Sequence, residues 1–367
     1  MSGMRRPAWD GPPHRRGRPR GPHRARQRSV WARQWTGWAW KSTLVGALIC
    51  GGLWTATHGV AGAAWTDVLT VLRTLHLRQL LGLAAIWLGG LGVYAIVLSA
   101  ALPGLGVRRS LLLNLSGSAV ANVIPFGGAV ATGLNWRMVR TWGHTNLAFA
   151  TFCVLTNALD VATKLVLPGV AVIGLTVAAA HVPTALWAVA LTCAAVVLIV
   201  GVVQGLVTGS GPSDAYSDTS GLGVPRSRSS RVSTHLRQTV LSTRGLLFDR
   251  WGRLVPASIA YVAAQVALLA FSLQAVGLHA PLTIVLMAAA IERVSSLVPL
   301  TPGGAGFAEI GTIAWLVANG LDPVEVVAGV LVYRFFLIAL EVPLGGLLLG
   351  VWAWFQRSPR TSLGPAR

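Results

Sequence analysis

Long apolar runs alternate with short polar segments along the chain, and nearly all of the charge falls in those segments. At about 20 apolar residues per bilayer crossing, simple spans are predicted at 42–62, 79–102, 146–178, 184–207, 254–277 and 323–350. Two further apolar regions, 110–142 and 281–319, break near their middles at proline and paired glycine. Each is long enough to enter the bilayer, turn and leave on the side it came from. The expected fold is therefore all-α: a polytopic transmembrane protein with two re-entrant or broken-helix hairpins.

The two breaks resemble one another. Val120-Ala-Asn-Val-Ile-Pro-Phe-Gly-Gly-Ala129 and Leu297-Val-Pro-Leu-Thr-Pro-Gly-Gly-Ala305 both run apolar residues into proline and then Gly-Gly-Ala. Downstream of each comes a span with ionic residues and a proline: Asp160, Lys164 and Pro168 in the first, Arg334, Glu341 and Pro343 in the second. An odd number of predicted crossings separates the copies, so they should face opposite ways as an inverted repeat, a plan that recurs in secondary transporters. Pro125, Gly127, Gly128, Pro299, Pro302, Gly303, Gly304 and Gly306 are the expected helix-breaking positions. Backbone groups freed at such breaks cost several kcal/mol each against lipid and are tolerated against protein or a wet cavity. The half-helix N-termini that result are positively polarised and suit an anionic headgroup.

Composition agrees with a membrane chain. Of 367 residues, 53% are hydrophobic and only 11% charged, against roughly a quarter charged in soluble domains. The net charge of +19 would suggest nucleic acid in a soluble protein. Here it is concentrated in the first 41 residues and between Thr208 and Arg253, beside membrane spans, where excess arginine marks cytoplasmic segments and attracts anionic lipid surfaces. No nucleic-acid partner is expected. The predicted organisation is a basic disordered cytoplasmic tail (1–41), a first membrane half (42–207) with the hairpin 110–142, a basic cytoplasmic loop (208–253), a second membrane half (254–355) with the hairpin 281–319, and a cytoplasmic tail (356–367). The protein should be a multi-pass protein of the cell membrane with both termini in the cytoplasm. Only Arg73 and Arg78 fall on the wrong side.

Asp160, Lys164, Glu292, Arg293, Glu309, Arg334 and Glu341 lie within or at the edges of apolar segments, where a charge costs about 2.5–3.5 kcal/mol or more. Asp160 and Lys164 stand at i, i+4 and can neutralise one another, which leaves a self-contained pair and a functional role both open. Glu292 and Arg293 are adjacent, point in different directions and must find partners on other helices. Arg334, midway along its span, is either a ligand for lipid phosphate, whose oxygens the guanidinium fork matches, or a structural bridge to Glu309 or Glu341. The chain has no GKS/GKT phosphate loop, HExxH or GxSxG. Gly304-Ala-Gly306 starts like a dinucleotide fingerprint, but Glu309 occupies the third glycine position. Cys50, Cys153 and Cys193 show no metal-ligand spacing. No cofactor or metal is expected.

Glu292-Arg293, the run Pro299-Leu-Thr-Pro-Gly-Gly-Ala-Gly-Phe-Ala-Glu309, Gly320 and Val332-Tyr-Arg334 closely resemble the C-terminal signature of the lysylphosphatidylglycerol synthase transmembrane-region family of flippase-like proteins. Asn122-Val-Ile-Pro-Phe-Gly-Gly128 and Asn135-Trp-Arg137 resemble its first-half motif. The resemblance covers about residues 42–355. It implies a membrane domain that moves modified phospholipids or polyprenyl-linked lipids between leaflets, with Arg293, Glu309 and Arg334 at the polar positions of the motif. Synthase activity is not implied, because the aminoacyl-transfer domain of full-length members would need several hundred further residues; Glu341, where an apolar or aromatic residue is expected, is a second departure. The expected function is flippase-like transport of an anionic lipid rather than enzymatic turnover, with Arg293, Glu309, Arg334, Arg137 and Asp160 as headgroup-binding residues. The alternatives are a membrane-embedded transferase using Glu309 and Asp160, and a non-transporting anchor for a lipid-modifying enzyme or glycosyltransferase.

Overall fold

A computed structural model describes residues 51, 54–123, 127–178, 184–209, 228–297 and 306–357. The basic tail, about half of the predicted span 42–62, most of the polar loop before Arg228, the C-terminal tail, and Pro125, Pro299, Pro302, Gly303 and Gly304 lie outside the described residues.

The described residues form helices and no strand: α1 Trp65–Arg73, α2 Leu77–Ala101, α3 Val107–Val123, α4 Gly127–Thr141, α5 Asn146–Val177, α6 Thr184–Gly209, α7 Arg228–Ala275, α8 Leu282–Ser295, α9 Phe307–Ala318, α10 Pro323–Arg334 and α11 Glu341–Arg357. Among them, Leu77–Ala101, Asn146–Val177, Gln238–Ala275 and the run Pro323–Gln356 are long and apolar enough to cross a membrane. Exposed Val166, Val170, Ile173, Leu347, Val351 and Phe355 give α5 and α11 apolar outer faces. Such surfaces suit lipid, and the molecule is a multi-pass membrane protein.

Local chemistry sets the helix ends. The Thr145 hydroxyl accepts from Ala148 N at 3.2 Å and starts α5. Asp322 Oδ1 accepts from the backbone of Val324 and Glu325 ahead of Pro323, starting α10, and satisfies two of the N–H groups that a helix start leaves open. Gly277, at φ +96°, ends α7 in a conformation that favours glycine. One difference from the expected organisation is that α7 begins well inside the segment predicted as a basic loop and runs through Pro256 into the span. A helix continues across a composition change when no break is encoded there.

The two hairpins are α3 with α4 and α8 with α9. Their arms of 17, 15, 14 and 12 residues rise about 1.5 Å per residue, so each is shorter than the roughly 30 Å hydrocarbon core. Each hairpin also closes at its base. Arg109, at the start of α3, lies over the Trp142 ring just beyond α4, 5.5 Å from its centroid. Trp315, near the end of α9, donates from Nε1 to the Ile284 carbonyl at the start of α8, at 3.0 Å. Each pair of arms therefore returns to the end from which it began.

The hairpins are packed reciprocally. The first arm of the first hairpin, α3, lies against α11, the segment after the second hairpin, and α8 lies against α5, the span after the first hairpin. The spans α2 and α7 pack directly on one another. Helix α10 is enclosed: Val326, Val327, Ala328 and Val330 are buried. It carries Arg334 into the interior at its last residue.

Candidate functional site

Pro343 is the local cause of the break in the last span. It has no N–H to donate, and its ring would collide with the carbonyl four residues earlier, at Ala339. The backbone between Phe335 and Ala339 widens into a π turn, with Leu340 N bonded to Phe335 O at 2.9 Å. Pro343 itself falls in the first turn of α11, where the missing donor is harmless. Arg334 is the last residue before this widened turn.

The Arg334 guanidinium faces two carboxylates. Its Nε is 3.0 Å from Glu309 Oε1 and its Nη1 is 3.3 Å from Glu292 Oε1. All three residues are buried, so each needs the others, since an unpaired ion here would bear a large desolvation cost. Glu309 has a second contact: its Oε2 accepts from the backbone N of Gly306 at 2.6 Å. Gly306 stands at φ +93°, a conformation that side-chain-bearing residues rarely adopt. The second hairpin's returning arm therefore begins with a glycine elbow clipped by the carboxylate that also holds the last span. Arg334 Nη2 is buried and has no hydrogen-bond partner among the described residues.

Arg293 sits beside this triad in a different environment. It is 4% exposed; its Nη2 donates to Gln265 Oε1, and its guanidinium lies 5.7 Å from the centroid of the Tyr261 ring. Gln265 in turn donates to the Tyr261 hydroxyl at 2.5 Å. Among the described residues no carboxylate comes within 4.0 Å of Arg293. An amide and a ring face hold this cation in place without cancelling its charge.

A family model of the lysylphosphatidylglycerol synthase TM region matches residues 42–345. The chain belongs to this family. No curated protein matches it. The family match spans both hairpins and every buried ionic residue of the cluster.

The expected site residues separate into three groups. Glu309 and Arg334 are in direct contact, with Arg293 on the neighbouring helix α8. Asp160 lies apart from the triad, and its Oδ2 is 2.8 Å from Lys164 Nζ on the next turn of α5. Arg137 is exposed on α4. Of the helix-breaking glycines, Gly127 has no room for a side chain: a Cβ there would lie 2.6 Å from Val120 O, whereas Gly128 faces open space.

The bridge expected from Arg334 goes to Glu309 and to Glu292 rather than to Glu341. Arg334 and Glu341 stand on opposite sides of the π turn Phe335–Ala339, and no ion pair joins them among the described residues. Glu341 instead lines a small cavity with Trp87, Tyr261 and Gln265. Gln265 and Tyr261 escaped notice in the sequence because they are neutral. Their i, i+4 spacing inside an apolar span was the available signal.

Proposed function

We propose that the protein moves an anionic phospholipid or polyprenyl-linked lipid between leaflets, with Arg293 as the contact for the headgroup phosphate. One observation carries this reading: Arg293 is buried among apolar helices and, among the described residues, is met by an amide and an aromatic ring rather than a carboxylate. A cation kept uncancelled at that depth is costly, and a visiting phosphate would relieve the cost. Arg334 is less suited to that role. Two carboxylates against one guanidinium leave the triad with net negative charge, which repels an anion. The triad is better read as the latch joining the second hairpin to the broken span, with Glu309 as the group whose loss of charge would loosen it.

The reciprocal packing of each hairpin against the span that follows the other supports an inverted repeat, since two units related by a twofold axis would make this exchange. Charge placement supports the same plan. Arg108, Arg109, Arg137 and Arg140 cluster at the base of the first hairpin, whereas the segments flanking the second carry His279 and Asp322. With arginine on the cytoplasmic side, the first hairpin enters from the cytoplasm and the second from outside, and both termini are cytoplasmic. Two re-entrant elements approaching from opposite leaflets shorten the hydrocarbon path that a headgroup must cross.

The test is reconstitution into liposomes with fluorescent phosphatidylglycerol and, separately, a fluorescent polyprenyl phosphate, following accessibility to an external quencher. Transport above protein-free vesicles is expected, falling at least about ten-fold in Arg293→Gln, which removes a charge-assisted contact. No movement of either lipid would overturn the reading. Conversion of either lipid to a new product without movement would point to a transferase.

A further inference from the structure

Away from the ionic cluster, three neighbouring openings lie along one face of α5, the middle one, of about 20 Å³, sharing lining residues with each of the other two. The first is a cavity of about 310 Å³ between the first hairpin and α5, with Asn114, Ser118, Thr132, Asn135, Thr156 and Asn157 in its polar lining and no charged residue among the described ones. Tyr94 and Thr156 also line a narrower opening that includes Asp160, Tyr261 and Ser258. Leu159, Thr163 and Ser258, shared with that opening, line an apolar groove of about 720 Å³ between α5, α7 and α8. On α5 the residues met in order are Phe149, Phe152, Thr156, Leu159, Thr163, Val166 and Val170. Steps of three and four keep them on a single helix face. That face is polar at one end and hydrocarbon at the other.

We infer that this track binds one amphiphile, with a hydroxyl-bearing part of its headgroup, a glycerol or sugar, in the carboxamide cavity and a hydrocarbon chain along the groove. The inference rests on the lipid-transport reading and adds to it the class of headgroup and the direction in which the lipid lies.

Hydrogen-bond accounting points to hydroxyls. Thr132 and Thr156 donate their protons to Gly128 O and Phe152 O, each at 2.8 Å, and Asn157 Nδ2 donates to Cys153 O at 2.7 Å. The two threonines therefore have lone pairs left to offer, while the carboxamides of Asn114, Asn135 and Asn157 offer N–H groups as well as lone pairs. Asn135 Oδ1 is buried with no partner among the described residues, a state that a folded protein rarely tolerates without a ligand or water. A ligand whose groups both donate and accept hydrogen bonds satisfies such a cavity. A phosphate brings acceptors and a charge that nothing in the lining neutralises. An ammonium brings donors, but the lining holds no carboxylate, and nearby Asp160 is already paired with Lys164. Polyol hydroxyls need neither, and Tyr94, Phe149 and Phe152 give apolar ring faces for the C–H surface of a sugar. The apolar groove farther along the same face of α5 selects a lipid-linked polyol over a free one.

The test is native mass spectrometry of the full chain in detergent, titrated with dioleoyl glucosylglycerol, dioleoylglycerol, dioleoyl phosphatidic acid and dioleoyl phosphatidylethanolamine, and with free glucose as competitor. The glucolipid should bind about ten-fold more tightly than the other three, an advantage of roughly one well-made hydrogen bond. Asn135→Leu should abolish that preference. Thr156→Val, which keeps the shape of the side chain, should reduce it and guards against misfolding of the first variant. Val166→Trp, which fills the groove, should weaken all four lipids without changing their order. Equal binding of the four, a preference for phosphatidic acid or phosphatidylethanolamine, or a preference that survives both polar variants would overturn the inference. Displacement of the lipid by millimolar glucose would overturn the placement of its chain. Selective binding in a protein that moves no lipid in liposomes would sink the transport reading and leave this site standing.

Discussion

Glu309 holds Arg334 and Gly306 with its two oxygens, at 3.0 Å from Arg334 Nε and 2.6 Å from Gly306 N. One carboxylate thus couples the elbow of the second hairpin to the break in the last span, and neither end can shift without disturbing the other. A helix-capping contact has been merged with an ion pair.

Arg334→Ala leaves Glu292 and Glu309 buried without a cation. Breaking a buried pair from one side destabilises by about 3–5 kcal/mol, so thermal unfolding in detergent should show a large drop in midpoint. Arg334→Lys should recover part of the loss and not all of it, because one ammonium cannot match the two directions that the guanidinium fork serves. Equal stability of Arg334→Lys and the wild type would remove the argument for a two-sided latch.

Glu309→Gln keeps an acceptor for Gly306 N and loses the charge; Glu309→Ala loses both. The alanine variant should be the less stable, by about 1–2 kcal/mol relative to glutamine. Gly306→Ala should cost a further about 1–3 kcal/mol through its positive φ alone. Because all of these changes act on one elbow, Gly306→Ala and Glu309→Ala combined should cost less than the two measured separately. Strict additivity in unfolding experiments would mean that the elbow and the carboxylate act independently.

Both hairpins and the long spans were legible from residue order, since proline and paired glycine inside an apolar run have few other uses in a membrane. The ionic residues were legible as expensive, and Glu292 and Arg293 did seek partners on other helices. Their partners were not legible. Glu292 on α8 reaches Arg334 on α10 across the intervening α9, and the register between those helices depends on the packing of many side chains at once. The polar cavity of the first hairpin was hidden for a different reason: asparagine, serine and threonine scattered through helices carry no periodic signal, and only folding gathers them.

Glycine pairs in the two halves should behave asymmetrically. A Cβ on Gly127 would meet Val120 O and Ala121 O, and one on Gly345 would strike the Leu115 carbonyl and Ala119 Cβ, whereas Gly128 and Gly346 have nothing within 4 Å. Gly127→Ala and Gly345→Ala should therefore each destabilise by about 1–3 kcal/mol, as overpacking does. Gly128→Ala and Gly346→Ala should be neutral or slightly stabilising, because alanine is the better helix former. Gly345→Ala is the more informative change, since it pushes α11 away from α3 and so tests the contact that ties the two halves together. If Gly345→Ala and Gly346→Ala unfold at the same temperature, that close approach does not occur in the membrane.

The pair Asp160 and Lys164 decides between the two readings left open by their spacing. Asp160 is 40% exposed at its side chain and Lys164 16%, and each is the other's ionic partner within an apolar helix. If the pair is self-contained, Asp160→Ala and Lys164→Ala should each lower stability, while the double variant should recover most of the loss, since removing both charges leaves neither unpaired. Transport should then be normal in the double variant. If Asp160 also serves the lipid track that passes it between Tyr94 and Tyr261, the double variant should regain its stability and still transport slowly. Thermal unfolding and the liposome assay on the same three variants therefore separate a structural pair from a functional one, and a double variant no more stable than the worse single would exclude both.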